Sequence, residues 1–282
     1  MADDDGFALA PLGAAELEAY AARIGAPLPT VSDAAGLAAL MAAQLAAVPF
    51  ENLDTQLGRP PGLDPHATFA KVVHRRRGGW CFELNGLFGR VLAALGYAVM
   101  PVAAGVMRHE RGDWAVGSHL ALLVALEDGL WLVDVAFGGS LARPIALAEA
   151  AHDHVPYRVD LARLADGFWR YSEQAHGDPF SYDFRAEPAR RGDLARLCSW
   201  LGSDLQSPFV HNLVVQQRQG ERHVAMRGKV LSTTTAAGVE THALGSADEL
   251  VATLADTFGL DVPEAATLWP AIEARHAALF AA

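Results

Sequence analysis

A cysteine at the start of an apolar helix is the feature that most constrains this chain. Residues 77–86 read Arg-Gly-Gly-Trp-Cys-Phe-Glu-Leu-Asn-Gly, so two glycines break the chain just before Cys81. The apolar residues that follow at helical spacing are Leu84, Leu87, Phe88, Val91, Leu92 and Leu95. This pattern predicts that Cys81 lies in the first turn of a buried helix. Unpaired backbone N–H groups and the positive end of the helix dipole favour the thiolate form of a cysteine there.

Composition and charge exclude several classes of protein. The chain has 282 residues, 51% of them hydrophobic, which is enough for two or three domains with a large core. No stretch is apolar for long enough to span a bilayer, and Met1–Asp5 is acidic rather than basic as in a signal peptide. We therefore expect a soluble cytoplasmic protein. A net charge of -11 argues against a nucleic-acid partner, which would need a basic face.

The second cysteine and the small clusters of basic and metal-ligating residues have structural explanations. Cys198 lies beside Trp200 and Leu201 in a helical pattern, and we expect it to be an inert packed side chain. A disulfide has little use in a cytoplasmic chain, and the spacing of the two thiols does not fit a zinc site. Arg75–Arg77 are expected to be solvated at a helix end, with a local anionic substrate as the alternative. His152–His154 lack a third ligand, so a polar loop is favoured over a metal site.

The periodicity of the apolar residues divides the chain into three predicted domains. Residues 1–95 have a helical pattern and carry Cys81. Residues 96–190 have the alternation of an antiparallel sheet or small barrel. Residues 191–282 return to mixed helices and strands. The fold class predicted from this division is α+β.

Individual elements follow from local signals. A helix over residues 14–24 ends at Gly25, and Asp33 caps a second helix. Strands are predicted over Tyr97–Met107, Ser118–Leu126, Leu130–Phe137 and Phe209–Gln217. The Asp128-Gly129 pair between the second and third of these strands predicts a β-hairpin.

A thiolate nucleophile needs a base and a group that orients the base, and the predicted hairpin offers one of each. His119 lies near the start of its first strand and Asp134 inside the second, so the two side chains can face each other, in a register that the residues do not prove. Each residue also has a non-catalytic interpretation when it is considered alone. A buried Asp134 would pair with an arginine or cap a bulge, and His119 would be a hydrogen-bonded histidine in the core or on the surface. Together with Cys81 they favour a catalytic Cys-His-Asp arrangement.

Four sequence blocks resemble the arylamine N-acetyltransferases, and the similarity extends over nearly the whole chain. The blocks are residues 49–53 (Pro-Phe-Glu-Asn-Leu), residues 77–85 with the cysteine, Ser118-His119 with the Leu-rich strand after it, and residues 134–138 (Asp-Val-Ala-Phe-Gly). The chain departs from the family pattern at Trp80, where Tyr or a similar aromatic is usual, and at Ala136, where glycine is usual. The added methyl group of Ala136 bears on how the acyl donor fits.

The resemblance implies three domains: a helical bundle, an antiparallel β-barrel and an α/β lid around a core like that of papain and the transglutaminases. It implies transfer of an acetyl group from acetyl-CoA, without a metal, to an arylamine, arylhydrazine or N-hydroxyarylamine. The expected mechanism is ping-pong, through an acetyl-cysteine. Cys81, His119 and Asp134 are then the nucleophile, the base and the group that orients the base.

The resemblance also suggests binding residues and leaves alternatives open. Phe50 and Phe137 are candidates to line the acceptor slot, although each is equally an ordinary core phenylalanine. The candidate contacts to CoA are Gly117, Ser118, Gly138 and Phe209. An amide synthase of the same fold that forms macrolactams, a cysteine hydrolase and a non-catalytic binding module remain alternatives. The intact Cys-His-Asp set argues against the last, and the oligomeric state is left open.

Overall fold

Two antiparallel sheets with helices packed against them make up the fold. The computed structural model describes residues 6–280. Met1–Asp5, which bear on the expectation about a signal peptide, lie outside the described residues. Within residues 6–280, no helix is both long and apolar enough to cross a membrane. The predicted α+β class is confirmed.

Helices dominate the first third of the chain and return in the last. They are α1 (Ala14–Ile24), α2 (Ala34–Ala47), α3 (Leu53–Gln56), α4 (Pro65–Phe69), α5 (Cys81–Ala94), α6 (Arg108–Arg111), α7 (Arg191–Ser203), α8 (Pro208–His211), α9 (Ala247–Phe258) and α10 (Trp269–Phe280). As predicted, α1 ends at Gly25, and the Asp33 carboxylate caps α2 by accepting the Gly36 N–H at 2.7 Å.

The strands occupy the middle of the chain and part of its last third. They are β1 (Phe50–Glu51), β2 (Ala98–Val106), β3 (Val116–Leu126), β4 (Gly129–Val133), β5 (Ile145–Ala146), β6 (Ala150–His154), β7 (Tyr157–Arg163), β8 (Trp169–Gln174), β9 (Phe180–Phe184), β10 (Val214–Gln219), β11 (Arg222–Arg227), β12 (Val230–Thr235) and β13 (Gly238–Ala243).

The larger sheet has eight antiparallel strands in the order β5-β4-β3-β2-β9-β8-β7-β6. The predicted hairpin is confirmed, since β3 pairs with β4 and Leu126 lies opposite Gly129. The predicted strand Leu130–Phe137 is wrong in its second half, because β4 ends at Val133. There the Asp134 carboxylate accepts the N–H of Ala136 at 2.9 Å, which turns the chain out of the sheet.

The smaller sheet has five antiparallel strands in the order β1-β10-β11-β12-β13. Its edge strand β1 comes from the first part of the chain, and Phe50 lies opposite Gln216 of β10. The prediction of one strand over Phe209–Gln217 is wrong, because Pro208 favours a helix start and the Ser207 hydroxyl caps α8 by accepting the Phe209 N–H at 3.2 Å. Strand β10 begins only at Val214.

Helix α5 packs against β2 and β3 at the centre of the main hydrophobic core. Its buried side chains Leu84, Leu87, Phe88, Val91 and Leu92 are each at most 1% exposed. Burial of each such side chain contributes about 1.5–3 kcal/mol to folding. A second hydrophobic cluster lies between the smaller sheet and α9. The helix that begins with Cys81 is therefore held rigidly by the core.

Candidate active site

Cys81 is the first residue of α5, as the sequence predicts, and its side chain is 4% exposed. The two glycines before it leave no room for a side chain, Gly78 because of the segment around β1 and Gly79 because of Glu83 on α5. A Cβ on Gly78 would collide with the Pro49 carbonyl oxygen, and one on Gly79 would lie 2.8 Å from a Glu83 carboxylate oxygen. The Gly79 carbonyl accepts the Glu51 N–H at 3.0 Å. The cysteine is thereby fixed beside the edge of the smaller sheet.

A buried group of five charged side chains lies behind the nucleophile. Lys71 Nζ is 3.0 Å from carboxylate oxygens of both Asp54 and Glu83, and Arg77 is 2.8 Å from Glu51. Arg77 is 8% exposed, so the expectation of three solvated arginines is wrong for this residue. Its charge is paired with Glu51 and Asp54, which leaves it no role toward an anionic substrate.

Loss of the ammonium group from this cluster is expected to destabilise the fold. Lys71→Met leaves the buried Glu83 carboxylate without its cation, while Arg77 still pairs with Glu51 and Asp54, and this loss should lower the free energy of unfolding by about 3–5 kcal/mol. Lys229→Met is the matched control, because Lys229 pairs at 3.7 Å with a Glu273 side chain that is 56% exposed. A pair of that kind contributes at most about 1 kcal/mol. Urea unfolding measures both, and equal midpoints for the two variants would contradict this account.

His119 lies on β3 next to a β-bulge. Ala104 of β2 is opposite His119, but the next residue, Gly105, is opposite Val116, so Gly117 and Ser118 have no partners across the ladder. Gly117 has a φ of 98°, and a Cβ on it would lie 2.8 Å from the Asp193 carbonyl oxygen of α7. The bulge directs the Ser118 carbonyl oxygen toward the Cys81 thiol, at 3.9 Å.

The imidazole of His119 and the carboxylate of Asp134 form a buried pair. Their Nε2 and Oδ2 atoms are 2.6 Å apart, and both side chains are at most 2% exposed. Burial alone would lower the pKa of His119, but the charge of Asp134, together with the charge of Cys81 and a hydrogen bond to it, raises that pKa to about 10. Because Nε2 is used by Asp134, Nδ1 is the ring nitrogen left for Cys81. The structure thus brings the three predicted residues together.

Asn85 is a positioning residue that sequence reasoning missed. It lies one helical turn after Cys81, and its Nδ2 donates to Asp134 Oδ1 at 2.8 Å and to the Leu120 carbonyl at 2.6 Å. Its Oδ1 accepts the Val135 N–H at 3.0 Å. One fully buried amide therefore ties the nucleophile helix to β3 and to the segment that follows β4. The i, i+4 spacing from Cys81 was the available signal.

Aromatic rings surround the His119 side chain. Phe137 and Tyr182 have ring centroids 5.1 and 4.9 Å from its imidazole. Phe180 stacks on Phe137 with centroids 5.1 Å apart and an interplanar angle of 8°. A planar apolar ring can pack beside these aromatic rings.

A cleft of about 670 Å³ opens from Cys81 and His119 between the two sheets. Five of the predicted binding residues line it, namely Phe50, Ser118, Phe137, Gly138 and Phe209. Gly117 is not among its lining residues and packs against α7 instead. Ala136 also lines the cleft, so its methyl group is positioned to affect ligand fit.

Phe209 reaches the cleft because residues just after β1 hold α8. Asn52 Nδ2 donates to the Phe209 carbonyl at 2.9 Å and to the Asn212 carbonyl at 2.8 Å. The ring centroid of Phe209 is 6.0 Å from that of Phe50 and 6.0 Å from that of Trp80. The aromatic residue that precedes the nucleophile thus packs on one wall of the cleft.

Basic side chains also line the cleft, and sequence reasoning missed them as a group. They are Arg111, Arg227, Lys229 and Arg275. They come from α6, β11, the turn after β11 and α10, so no sequence motif gathers them. In a chain with a net charge of -11, a basic wall on one cleft favours an anionic ligand there.

Arg218 holds the glycine loop beside the cleft. It is 7% exposed, and its guanidinium donates to the carbonyls of Gly139 at 2.5 Å, Ser140 at 2.9 Å and His154 at 2.8 Å. A Cβ on Gly139 would lie 3.0 Å from the Arg218 side chain. The smaller sheet therefore fixes the loop that follows Asp134.

The His152–His154 segment is a strand, β6, so the prediction of a polar loop is wrong. His154 is 1% exposed, and its Nδ1 accepts the Ala142 N–H at 2.8 Å. Within residues 6–280, no group of three or more His, Cys, Asp or Glu side chains is arranged to hold a metal ion.

Cys198 is buried on α7 and donates to the Pro61 carbonyl at 3.5 Å, a packed position.

The neutral, buried His154 should make the fold sensitive to acid. Burial, together with Arg143 and Arg218, lowers the pKa of His154 to about 3. Unfolded histidine has a pKa of about 6.5, so the unfolded chain binds the proton first and the free energy of unfolding should fall as the pH drops from 6.5. We expect His154→Gln to reduce this slope in urea unfolding between pH 7 and pH 4. His176→Gln, at an exposed histidine, should keep the slope, and a slope unchanged in both variants would contradict the assignment.

Comparison with known proteins identifies what this arrangement is similar to. A family model described as N-acetyltransferase matches residues 33–267. The arylamine N-acetyltransferase of Mycolicibacterium smegmatis is 36% identical over 264 residues, which cover 90% of this chain and 94% of the relative. The arylamine N-acetyltransferase / N-hydroxyarylamine O-acetyltransferase of Salmonella typhimurium is 34% identical, over 77% of this chain and 76% of its own.

Solved structures have the same fold. The arylamine N-acetyltransferase of Mycobacterium marinum in complex with CoA has a TM-score of 0.81 and 29% identity, covering 92% of this chain and 97% of its own. The Salmonella typhimurium enzyme has a TM-score of 0.83 and 28% identity, covering 93% of this chain and 100% of its own. Sequence and structure therefore point to the same group of enzymes.

Proposed function

The chain belongs to the arylamine N-acetyltransferase family, and on that premise we propose that it works by a ping-pong mechanism through an acetyl-Cys81 intermediate. The proposed donor is acetyl-CoA, and the proposed acceptors are arylamines, arylhydrazines and N-hydroxyarylamines. The observation that carries the proposal is a cysteine at a helix start that shares a buried site with a paired histidine and aspartate. Such a set activates a thiol for acyl transfer.

In the first half-reaction, Cys81 takes the acetyl group. His119 accepts the thiol proton, and the resulting imidazolium is stabilised by Asp134. The thiolate attacks the thioester carbonyl, and the N–H of Cys81 at the start of α5 donates to the oxyanion that forms; one such donor contributes about 3–4 kcal/mol in enzymes where it has been removed. The tetrahedral intermediate collapses, the CoA thiolate leaves, and the His119 proton neutralises it.

In the second half-reaction, the acceptor amine attacks the acetyl-cysteine. His119, now neutral, takes a proton from the nitrogen, and the Cys81 thiolate leaves as the amide forms. An arylamine suits this step because its low basicity leaves the nitrogen lone pair free at neutral pH. The buried His119–Asp134 pair serves both half-reactions, since the same ring nitrogen gives and takes the proton.

The cleft fits the proposed donor. Its volume of about 670 Å³ has room for a pantetheine arm beside a single aromatic ring. Three residues of the basic wall, Arg227, Lys229 and Arg275, suit the phosphates of CoA, while Phe209 and Ser118 suit the thioester end. The CoA complex of the Mycobacterium marinum relative supports this choice of donor.

The three predicted domains remain part of the proposal, with a division of labour between them. Residues 1–95 supply the nucleophile, residues 96–190 supply His119 and Asp134, and residues 191–282 form the facing wall of the cleft. This division assigns binding of the donor's phosphates chiefly to the last part of the chain.

The mass of the intact protein tests the mechanism. After mixing with acetyl-CoA alone, the protein should gain one acetyl group, which peptide mapping should place on Cys81. Addition of an arylhydrazine should then remove it and yield the acetylhydrazide. A folded protein with a reactive Cys81 that gains no acetyl group would contradict the proposal and favour another acyl donor.

A further inference from the structure

Arg111 is the one member of the basic wall that does not come from the last third of the chain. It lies on α6, between β2 and β3 of the larger sheet, and its half-buried side chain lines the cleft. The three other basic residues come from β11, the turn after β11 and α10. Those three already suit the phosphates of CoA, so the position of Arg111 needs a separate explanation.

The neighbouring Arg108 fixes α6 to the larger sheet. Its guanidinium is 2.7 Å from Asp113, 2.8 Å from Asp166 and 3.4 Å from Asp183 of β9. The guanidinium also lies 3.7 Å over the ring of Phe168. Three carboxylates and one aromatic ring thus hold the short helix in place.

Arg111 differs from the other charged residues of this segment because it has no counter-ion. Asp113 is paired with Arg108, and His109 lies 3.7 Å from Glu110. In the part of the chain that the structure describes, the Arg111 guanidinium forms neither an ion pair nor a hydrogen bond. Arginine stays charged at every pH at which the protein is folded, and an unpaired cation facing a cleft attracts an anion there.

The backbone is strained at the residue that precedes α6. Met107 has a φ of 51° and a ψ of 42°, and it is one of two non-glycine residues with positive φ in residues 6–280. This left-handed conformation is unfavourable for a residue with a side chain, and such strain is common at functional sites. The helix that begins there closes with the Arg111 N–H donating to the Met107 carbonyl at 3.0 Å. The strain supports a functional reason for the placement of α6.

The start of α6 lies beside the aromatic rings around His119. The N–H of Met107 donates to the carbonyl of Ser181 at 2.9 Å, and Ser181 directly follows Phe180. Phe180 stacks on Phe137, whose ring centroid is 5.1 Å from that of His119. The helix is therefore next to the stacked rings at which an aromatic acceptor can pack.

A second series of contacts connects α6 with the nucleophile. The N–H of Val106, the last residue of β2, donates to the Ser118 hydroxyl at 3.0 Å. The Ser118 carbonyl is in turn 3.9 Å from the Cys81 thiol. These three residues and Arg111 line the same cleft. The unpaired cation is thus on the side of the cleft where the larger sheet meets Cys81.

We propose that Arg111 binds a carboxylate substituent on the ring of the aromatic acceptor. The acceptor ring packs beside Phe137 and Phe180, and its amine faces the acetyl-cysteine. The carboxylate pairs with the guanidinium, whose planar set of N–H groups matches its two oxygens. This inference rests on the proposed function and assigns it a preference for arylamines that carry an acidic group.

Matched acceptors test this assignment. 4-Aminobenzoate and 4-aminobenzamide are similar in size and differ in charge, so the ratio of their kcat/KM values isolates the effect of the charge. Arg111→Met should lower this ratio about tenfold, as for the loss of one charge-assisted hydrogen bond. Arg111→Lys keeps the charge and should lower the ratio less. Retained turnover of 4-aminobenzamide shows that each variant is folded.

Arg222→Met is the control for the change in net charge. Arg222 is exposed and is not among the residues that line the cleft, so its substitution should leave the ratio unaltered. An Arg111→Met variant that keeps the ratio of the unaltered protein would overturn the inference. An equal fall of the ratio in Arg222→Met would also overturn it, because the effect would then come from the overall charge of the protein.

The half-reactions separate this inference from the proposed function. If the unaltered protein gains no acetyl group from acetyl-CoA, the proposed function fails and the role of Arg111 fails with it. If the protein is acetylated but the ratio does not respond to Arg111→Met, the inference alone is overturned. If Arg111→Met slows acetylation of Cys81 and leaves the ratio intact, the guanidinium serves the phosphates of the donor, which also overturns the inference.

Inhibition of the unaltered protein gives a test that needs no variant. 4-Methylbenzoate should inhibit in competition with a neutral arylamine, and 4-methylbenzamide should inhibit several-fold less well. Added NaCl should weaken the inhibition by the carboxylate alone, because salt screens a half-exposed ion pair. Equal inhibition by the two compounds at low salt would contradict the role of Arg111.

Discussion

Cys81→Ser is expected to abolish acetyl transfer, by at least about a thousandfold in kcat/KM, while the fold is retained. A serine hydroxyl is a far weaker acid than a thiol, so His119 cannot hold it as an ion pair. Besides its interaction with His119, the thiol lies 3.9 Å from the Ser118 carbonyl, and the smaller hydroxyl fits the same space. Steady-state kinetics with acetyl-CoA and an arylhydrazine measures the loss.

The second cysteine supplies the control for this experiment. Cys198→Ser keeps a donor for the Pro61 carbonyl and lies outside the cleft-lining residues, so its turnover should be close to that of the unaltered protein. Retained turnover in Cys81→Ser would remove Cys81 as nucleophile. Loss of turnover in a folded Cys198→Ser variant would contradict the assignment of Cys198 to packing.

Asp134→Asn is expected to lower kcat/KM by about a hundred- to ten-thousandfold, because the new side chain reverses a hydrogen bond. Asn85 Nδ2 and the Ala136 N–H both donate to Oδ1 of Asp134, so that position must remain an acceptor. The introduced amide must therefore direct its NH₂ group toward Nε2 of His119. Nε2 then has to be unprotonated, and the single ring proton moves to Nδ1, where it blocks transfer from the thiol.

The pH profile distinguishes this effect from simple loss of stability. The charge of Asp134 is a main reason that the pKa of His119 is raised to about 10, so the variant should titrate this histidine well below that value. Asp153→Asn, at an exposed position on β6, is the control and should keep the original profile. A folded Asp134→Asn variant with full activity would mean that the carboxylate is only structural.

Local sequence patterns were enough to predict the main parts of the site. The glycine pair and the apolar spacing predicted the helix of Cys81, and Asp128-Gly129 predicted the hairpin that brings His119 and Asp134 together. The end of β4 was wrong because the Asp134 carboxylate competes with the sheet for backbone N–H groups. The apolar residues on both sides of Asp134 gave no indication that the chain turns out of the sheet there.

Contacts between distant segments could not be predicted from the sequence alone. The partners of Asn85 lie 35 to 50 residues away, and those of Arg218 up to 79 residues away. The prediction that Arg77 is solvated was wrong for the same reason. Its guanidinium is paired with the carboxylate of Glu51, which is 26 residues away in the sequence. Each of these roles depends on tertiary packing, which a periodic pattern does not encode.

The two-residue strand β1 has a consequence for recombination between relatives. It pairs with β10 on one side, and on the other its Glu51 N–H is bound by the Gly79 carbonyl ahead of Cys81. The backbone around the nucleophile and the last third of the chain are thus adjoining pieces of one hydrogen-bonded ladder. In a chimera that joins the first half of one homologue to the second half of another, β1 and β10 therefore come from different parents at this ladder. We expect such chimeras to work better when residues 49–52 are also taken from the parent that supplies residues 209–216.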